Sequence, residues 1–596
     1  MILSNKPAAW SASLLLSAFS LPATTLADTA VGELVVVTAS RTDQAPGNGL
    51  ARVSVIARDA IERSQAPDLL ELLRLEAGVD IARAGGPGGQ TSVFLRGTNS
   101  NHVLVLVDGV RVSAAGTGGF AWETLDPAII ARIEIVRGPR AARWGSDALG
   151  GVIQIFTRRE TGTLVRGAYG RYRDRALSAA TGTPSVGLSA SARRVGGFSA
   201  QNERGFAFDP DDDGFVNQSA ALNGQHQLAG GLIDWSARVA TGEVEFDQGE
   251  SEHLNYSGRV GYRHSGAGPW LWSADLASAR DRLETETAFG TSEFVTRRIQ
   301  SSAQAERTLS PNQVWLIGVD AWRESGVSRN EWRDGRYNIG LWTGIDGQSG
   351  VFDYEASLRI DEDELFGSAV TGSLAGGWRL ADNARVFASL GRGFRAPTFN
   401  QLFSPGFSGL FAGNPDLDPE TAWSAELGGD WQPAPGHRLY VSLFRTDIED
   451  LIDFAGIDFQ AVNVRKARIE GSELGWDFRN ADWIASANFS WQRPRDRDSG
   501  AELLRRPRQK ASLGLDRLLP GNGWIGGEVV FTGSRRDIGQ EKLPDYTLVN
   551  LRAGYPLVGG LRLEARLENL TDHDYEPLVG FNAHRRSLFV ALSWEG

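Results

Sequence analysis

The chain has 596 residues, more than one ordinary hydrophobic core accommodates, so we expect more than one domain. It contains no Cys, which excludes disulfides and thiolate metal sites, and its net charge of -12 argues against nucleic-acid binding and favours the capture of cations. A mean hydropathy of -0.25, with no apolar run of spanning length after the N-terminus, excludes a helical membrane protein. A transmembrane β-barrel stays possible, because its apolar residues alternate with polar ones.

The N-terminal 27 residues have the three parts of an export signal in the expected order. Lys6 supplies a positive charge, residues 8–21 are mostly apolar, and Ala27 ends the segment with a small side chain. An ordinary apolar helix is the alternative, but the ordered pattern favours a signal peptide at residues 1–27 that is removed.

Residues 28–50 form a linker that carries one isolated apolar run, Leu34–Val37. An extended, exposed run of this kind pairs readily with the sheet edge of a partner protein. The alternative is that it forms the first strand of the next domain.

Residues 51–158 have the pattern of a compact α+β domain. Leucines at 69, 70, 72 and 73, after Pro67, predict a short helix, and Asp108-Gly109 predicts a tight turn. Two loops rich in small residues, 82–90 and 113–120, separate the elements. Short apolar runs predict strands at Val53–Ile56, Val93–Leu95, Val103–Val107, Ile129–Val136 and Val152–Phe156.

Residues 159–596 alternate apolar and polar side chains over long stretches. In Leu561–Glu568, leucine and alanine fall on one face while arginine and glutamate fall on the other, and residues 588–594 alternate in the same way. A soluble sheet packed on one face is the alternative, but the export signal and the 18 Trp favour a membrane barrel with a wet interior. With strands of ~10 residues and their loops, about 20 strands fit this region.

Together, these segments resemble the TonB-dependent outer-membrane receptors of bacteria, and among them the cobalamin transporters most closely. The resemblance covers nearly the whole mature chain and rests on these motifs: GELVVVTASR at 32–41, LRGTNSNHVLVLVDGVRV at 95–112, IEIVRGPRAARWGSDALGGVIQIFTRR at 133–159, GFRAP at 393–397, NPDLDPE at 414–420 and LENLTDHDY at 567–575. One departure is the end of the chain, where Glu595-Gly596 follows Trp594 in place of a terminal aromatic residue.

The resemblance implies an all-β transmembrane barrel of 22 antiparallel strands, with the N-terminal α+β domain as a plug inside the lumen. It implies a monomer that lies in the outer-membrane lipid and is not an enzyme. It also implies active import of cobalamin, which occurs when TonB and its inner-membrane complex pull on the plug. A ferric siderophore or another metal chelate is the alternative ligand. A passive porin is the alternative from another class, although a diffusion pore needs neither a plug nor a TonB-binding segment.

The resemblance also assigns sites at the two ends of the plug. The TonB box comprises Glu33, Leu34, Val35, Val36, Val37, Thr38 and Ala39. The two small-residue loops become plug apices that let backbone approach a bulky ligand, with Gly86, Gln90, Ser113, Ala115 and Thr117 as ligand-binding residues. Without the resemblance, these loops read simply as tight turns.

An acidic run at 209–214, DPDDDG, places Asp209, Asp211 and Asp213 at alternate positions, as the start of a calcium loop does. The twelfth loop position is Ala220, so this is no EF-hand. A solvated acidic loop is the alternative, but crowded carboxylates repel unless a cation neutralises them, and cobalamin transporters carry a similar loop that binds calcium. We therefore predict a structural calcium ion, with Glu245 and Asp247 from the next outer loop completing its ligands.

Three arginines are candidates for joining plug and barrel. Arg41 resembles the family position whose ion pair with the barrel retains the TonB box until ligand binds, and the sequence does not identify its partner. Arg137 and Arg140 are expected either to pair with barrel carboxylates or to be ordinary solvated arginines. We assign no role to His102 and no catalytic residue or catalytic cofactor.

Overall fold

The structure is a computed structural model that describes residue 41 and residues 49–159, 161–228, 230–264, 268–288, 290–406, 412–455 and 460–596. The predicted export signal and the predicted TonB box lie outside the described residues. Among the residues described, no helix is long and apolar enough to cross a membrane.

The N-terminal plug domain occupies the fully described range 49–159. Its helices are α1 (Arg58–Ser64), α2 (Leu69–Leu73) and α3 (Ala141–Trp144), with single 3₁₀ turns at Ser100–His102, Trp122–Thr124 and Pro127–Ile129. Its strands are β1 (Val53–Ile56), β2 (Val79–Arg83), β3 (Thr91–Leu95), β4 (Val103–Val107), β5 (Val110–Arg111), β6 (Ile130–Arg137) and β7 (Gly151–Thr157).

The plug sheet has the order β1-β6-β7-β4-β5, with β4 and β7 parallel, while β2 and β3 form a separate hairpin. The predicted turn at Asp108-Gly109 is present, and both residues have positive φ, 49° and 82°. The sequence pattern missed α1 and α3, and it began the first small-residue loop at Ala82, whereas β2 continues to Arg83.

The second domain is a closed barrel of 22 antiparallel strands, as predicted from the family resemblance. Its strands are β8 (Gly162–Gly170), β9 (Asp174–Gly182), β10 (Val186–Phe198), β11 (Asp213–Leu228), β12 (Gly231–Phe246), β13 (Gly249–His264), β14 (Trp270–Thr287), β15 (Gly290–Ser310), β16 (Gln313–Ser328), β17 (Trp332–Ser349), β18 (Phe352–Asp363), β19 (Gly367–Ala381), β20 (Ala384–Arg395), β21 (Glu420–Trp431), β22 (His437–Ala455), β23 (Gln460–Arg479), β24 (Trp483–Asp496), β25 (Gln509–Leu519), β26 (Gly523–Thr532), β29 (Tyr546–Pro556), β30 (Leu561–Glu568) and β31 (Ser587–Glu595).

Shorter elements lie in the connections between barrel strands. Helix α4 (Phe399–Phe403) follows β20, and a two-stranded ribbon of β27 (Arg535–Arg536) and β28 (Lys542–Leu543) lies between β26 and β29. Single 3₁₀ turns occupy Pro520–Asn522 and Ile538–Gln540. The barrel closes where β31 pairs with β8, so no described barrel strand has a free edge.

The alternation of side chains divides the barrel into a polar lumen and an apolar exterior. In β30, Glu564, Arg566 and Glu568 are buried on the lumen side, whereas Leu563 is exposed outside. Leu276 and Leu341 are about three-fifths exposed on the outer surface, at 61% and 62%. A face exposed in the isolated protein and lined by leucine is the face that lipid covers.

Long and short connections lie at opposite ends of the barrel. The connections after β10, β20, β24, β26 and β30 are long, and we call their end the outer end; the connections after β9, β11 and β15 are short and lie at the other end, the inner end. The plug fills the lumen around its own apolar core, which includes Leu69, Leu95, Val105 and Ile153. Its two small-residue loops lie toward the outer end, where the first contacts Ala200 in the connection after β10 and the second contacts Phe399 in the connection after β20.

Candidate functional site

The first plug apex, residues 84–90, is a tight loop pressed against the barrel wall. The backbone N–H of Ala84 donates to the carbonyl of Gln90 at 2.9 Å and closes the loop. Gly88 has a φ of +86°, and a Cβ there would approach Phe215 of β11 to 2.4 Å, so only glycine fits. The Gln90 side chain is exposed.

Gly86, also predicted to contact ligand, faces the ring of Phe198, which belongs to a cluster of three rings that no sequence motif indicated. A Cβ on Gly86 would lie 3.4 Å from the ring of Phe198. Phe198 packs against Tyr172 at 4.8 Å and against His584 at 5.3 Å between ring centroids. These residues come from distant parts of the sequence, so no local pattern could have grouped them. Together they form an aromatic cluster beside a backbone loop at the outer end of the barrel.

The second apex, residues 113–120, contacts helix α4. Thr117 is exposed, but Ala115 is buried among Phe399 and Leu402, and its carbonyl accepts a hydrogen bond from the N–H of Phe399 at 3.0 Å. Ser113 is buried, and its hydroxyl has no hydrogen-bond partner among the described residues. Of these three predicted ligand contacts, the structure therefore exposes only Thr117.

The acidic residues lie where the loop after β10 meets the end of β12. Asp247 accepts hydrogen bonds from the backbone N–H groups of Gln201 (3.0 Å) and Asp209 (2.8 Å). Glu245 lies within β12, not in the loop, and accepts from the N–H of Gly214 at 2.7 Å. These carboxylates hold the loop against the barrel through its backbone.

Asp211 is exposed, but slight desolvation and the neighbouring carboxylate of Asp209 both disfavour its charge and raise its pKa. Asp213, the first residue of β11, accepts a hydrogen bond from the N–H of Ala200. Within the described residues, no three His, Cys, Asp or Glu side chains are arranged to hold a metal ion. The residues therefore supply suitable oxygen atoms and crowded negative charge, but the ligand geometry of a calcium site is not formed here.

Arg96 of the plug makes the most extensive ionic contact with the barrel. Its guanidinium donates to Glu426 at 3.0 and 3.1 Å and to Glu473 at 2.9 and 3.0 Å, and all three side chains are buried. Burial alone would lower the pKa of Arg96, but the two carboxylates raise it overall. Arg96 lies inside a recognised motif, yet nothing local in the sequence showed that it would contact two strands more than 300 residues away.

His102 joins the plug to the barrel as well. Its Nε2 lies 3.0 Å from Glu420 of β21, both side chains are fully buried, and Arg395 donates to the same carboxylate. No local feature distinguishes this histidine, because its partner is 318 residues away.

Arg137 and Arg140 have different surroundings. Arg137 is buried and hydrogen-bonds within the plug, to the carbonyl of Ala77 at 2.7 and 3.0 Å, with the barrel carboxylate of Glu473 at 3.7 Å. Arg140 lies 3.5 Å from Glu355 of β18. Neither is an ordinary solvated arginine, and Arg137 mainly organises the plug itself.

Arg41 is held at the barrel wall by one carboxylate and two aromatic rings. Its Nη1 donates to Asp320 of β16 at 2.9 Å, and both side chains are only 10% exposed. Its guanidinium carbon lies 4.3 Å from the ring centroid of Trp144 in the plug and 5.1 Å from that of Trp342 in the barrel. Burial lowers the pKa of Arg41, and Asp320 opposes that effect, so the arginine stays charged at neutral pH.

Comparisons with known proteins agree with both domains. The family described as TonB-dependent Receptor Plug Domain matches residues 48–152, and TonB dependent receptor-like, beta-barrel matches residues 154–570. The curated relative "Vitamin B12 transporter BtuB" of Vibrio vulnificus (strain YJ016) is 31% identical over 574 residues, which cover 91% of each chain.

Solved structures of iron receptors share the fold at low sequence identity. The ferric enterobactin receptor of Pseudomonas aeruginosa aligns with a TM-score of 0.78 at 18% identity, over 94% of this chain and 100% of that one. The FrpB iron transporter of Neisseria meningitidis aligns with a TM-score of 0.77 at 14% identity, over 91% and 99%. The chain thus belongs to the TonB-dependent receptor family of bacterial outer-membrane proteins.

Proposed function

We propose that this protein imports cobalamin actively across the bacterial outer membrane, with energy delivered by TonB. The observation that carries the proposal is the 31% identity, over 91% of each chain, to a vitamin B12 transporter. The solved iron receptors, at 18% identity or less, are evidence for the fold and do not bear on the ligand. A receptor for a ferric siderophore is the second candidate, because siderophore receptors share most of the motifs that identify this family.

The proposed ligand site is the outer cavity above the plug. A corrinoid is large and rigid, so it is best bound by small residues, exposed polar side chains and flat apolar walls. At the apices, Gly86 is a small residue, and Gln90 and Thr117 are exposed polar side chains. Phe198 belongs to the aromatic cluster beside them. For Ser113 and Ala115 to contact the ligand, α4 would have to move away from the second apex.

The proposed energy coupling begins at Arg41. We infer that the Arg41–Asp320 pair retains the TonB box until ligand binds, after which TonB pairs with the box as an added strand. The plug must then move, which requires breaking ion pairs such as those of Arg96. A passive pore is a poor alternative, because the plug fills the lumen and is tied to it through buried charges. The barrel is closed, so none of its described strands offers a free edge for self-association, and we propose a monomer.

Calcium remains part of the proposal. A calcium ion would draw Asp209, Asp211 and Asp213 together with Glu245 and Asp247, and it would order the outer loops around the ligand. Desolvation and the neighbouring carboxylates together raise the pKa of Asp211, and the crowded carboxylates support a cation, whereas the hydrogen bonds from backbone amides to Asp247 and Glu245 would have to be shared or released.

The ligand assignment is tested by titrating the purified protein with cyanocobalamin and with a ferric siderophore, in calcium and in EDTA. We expect tight cyanocobalamin binding that weakens when Gln90 and Thr117 are changed to alanine. Thr183→Ala, an exposed position in the inner turn after β9, is the matched control and should bind like the wild type. Siderophore binding without cyanocobalamin binding would replace the first candidate by the second.

A further inference from the structure

Three arginines lie close together on the lipid-facing surface of β14, β15 and β16: Arg280, Arg297 and Arg323. Their orientation follows from the two-residue repeat of a strand. Arg280 lies four residues after Leu276 in β14, and Arg297 lies two residues before Ile299 in β15, so each arginine shares a face with that apolar residue. Leu276 and Ile299 are both 61% exposed on the barrel exterior. Arg323 pairs directly with Ile299 across the ladder, so it shares that face.

The pairing register shows that the three arginines are neighbours. Arg280 and Arg297 are direct cross-strand partners, and Arg297 pairs with Ser325, two residues from Arg323. Side chains in such positions lie about 5 to 8 Å apart at Cβ. Like charges placed directly opposite one another in a sheet repel, so this arrangement calls for an anion from outside the chain.

The chain itself does not neutralise two of these charges. Among the described residues, neither Arg297 nor Arg323 makes an ion pair or a hydrogen bond through its side chain. Arg280 lies within the electrostatic reach of Glu293. Arg282, on the same face, differs because its charge is neutralised: it forms ion pairs with Glu293 at 2.6 Å and with Glu284. A protein with a net charge of -12 therefore concentrates unneutralised positive charge here.

The position along the barrel is that of the outer membrane interface. At the inner end of the same strands, Trp270 and Trp315 contact each other, with 5.7 Å between ring centroids. Leu276 and Ile299 then mark the apolar band. At the outer edge of this band, the guanidinium of Arg280 lies 5.9 Å from the ring centroid of Tyr256, and Arg323, the cross-strand partner of Ile299, also pairs with Tyr337. Tyrosine is enriched where hydrocarbon meets lipid headgroups, so the arginines lie at headgroup level.

We propose that Arg280, Arg297 and Arg323 form a binding site for the phosphate groups of lipid headgroups in the outer leaflet. The guanidinium group donates paired hydrogen bonds to phosphate oxygens, and it keeps its charge at any physiological pH. Tyr256 and Tyr337 border the site and anchor it at the interface. The site lies outside the ligand cavity and does not depend on which ligand the receptor carries.

Native mass spectrometry of the purified protein with added phosphatidylglycerol, and separately with phosphatidylcholine, tests the proposal. We expect selective retention of the anionic lipid by the wild type. An arginine near an anionic headgroup contributes a factor of about 5 in affinity, so Arg297→Gln with Arg323→Gln should weaken binding about 30-fold. The matched control is Arg445→Gln, an outward-facing arginine whose charge is already paired with Asp447 at 2.8 Å.

Three results would overturn the proposal. The first is equal lipid retention by the double variant and the wild type; the second is an equal loss in Arg445→Gln. The third is displacement of the bound lipid by inorganic phosphate at a matched concentration, which would make the site one for free phosphate. Because both variants change exposed side chains, heat-modifiable migration on a gel suffices to verify that each barrel is folded.

Discussion

The substitution Arg41→Ala should release the TonB box in the absence of ligand. It removes one charge-assisted hydrogen bond, worth about 1.5–3 kcal/mol, and two cation–π contacts, worth about 0.5–1 kcal/mol each. In the wild type, release of Arg41 restores about 1.5–2 kcal/mol of rotamer freedom, which offsets part of these contacts. The ion pair and the two rings therefore stabilise the retained form by about 1–3 kcal/mol net, and Arg41→Ala removes that amount. Asp320 stays neutralised because Arg359 also donates to it. The released form should therefore gain roughly 5- to 150-fold in population.

The chain has no cysteine, so Val36→Cys provides one unique site for labelling with a maleimide. We expect Arg41→Ala to accelerate this labelling in the absence of ligand, toward the rate that the wild type reaches with ligand bound. Arg132→Ala is the matched control, because Arg132 also combines an ion pair, with Glu134 at 2.9 Å, and a cation–π contact, both inside the plug. A labelling rate unchanged by Arg41→Ala would refute the role of this ion pair.

Three further substitutions probe other parts of the protein. Val36→Pro removes a backbone donor and fixes φ in the TonB box, so transport should stop while folding and surface binding of ligand persist; normal uptake would contradict this. Arg96→Ala leaves Glu426 and Glu473 buried without their main cation, which should cost about 3–5 kcal/mol in chemical denaturation, and a loss below 1 kcal/mol would contradict it. Asp211→Asn should weaken calcium binding, and in the wild type calcium affinity should fall as the pH drops toward the raised pKa of Asp211, because protons compete for that carboxylate. A calcium titration that gives the same affinity for Asp211→Asn and the wild type would contradict the first expectation, and a calcium affinity that is the same at every pH would contradict the second.

The barrel was predictable because a strand repeats every two residues. Residues such as Leu563 and Glu564 fall on opposite faces whatever their distant neighbours are, so the local pattern alone separates lipid from lumen. The resemblance to a family, and not the periodicity, supplied the strand number of 22. The short helices of the plug were harder to recognise, since α3 has only four residues and no room for an apolar repeat.

The sites were less predictable because their members are distant in sequence. The partner of Arg41 is 279 residues away, and nothing near Asp320 distinguishes it from other lumen carboxylates. The burial of Ala115 depends on α4, which packs against it from a loop nearly 300 residues later. Small residues in a loop predict close approach by some group, but they do not tell whether that group is a ligand or the protein's own helix.

Uptake of labelled cyanocobalamin by cells that lack their own receptor tests active import most directly. The protein should restore uptake in cells that contain TonB, and it should bind the label at the surface without accumulating it in cells that lack TonB. Uptake that persists without TonB would contradict active import, and the absence of both binding and uptake, in cells where the protein takes up a ferric siderophore, would contradict cobalamin as the ligand.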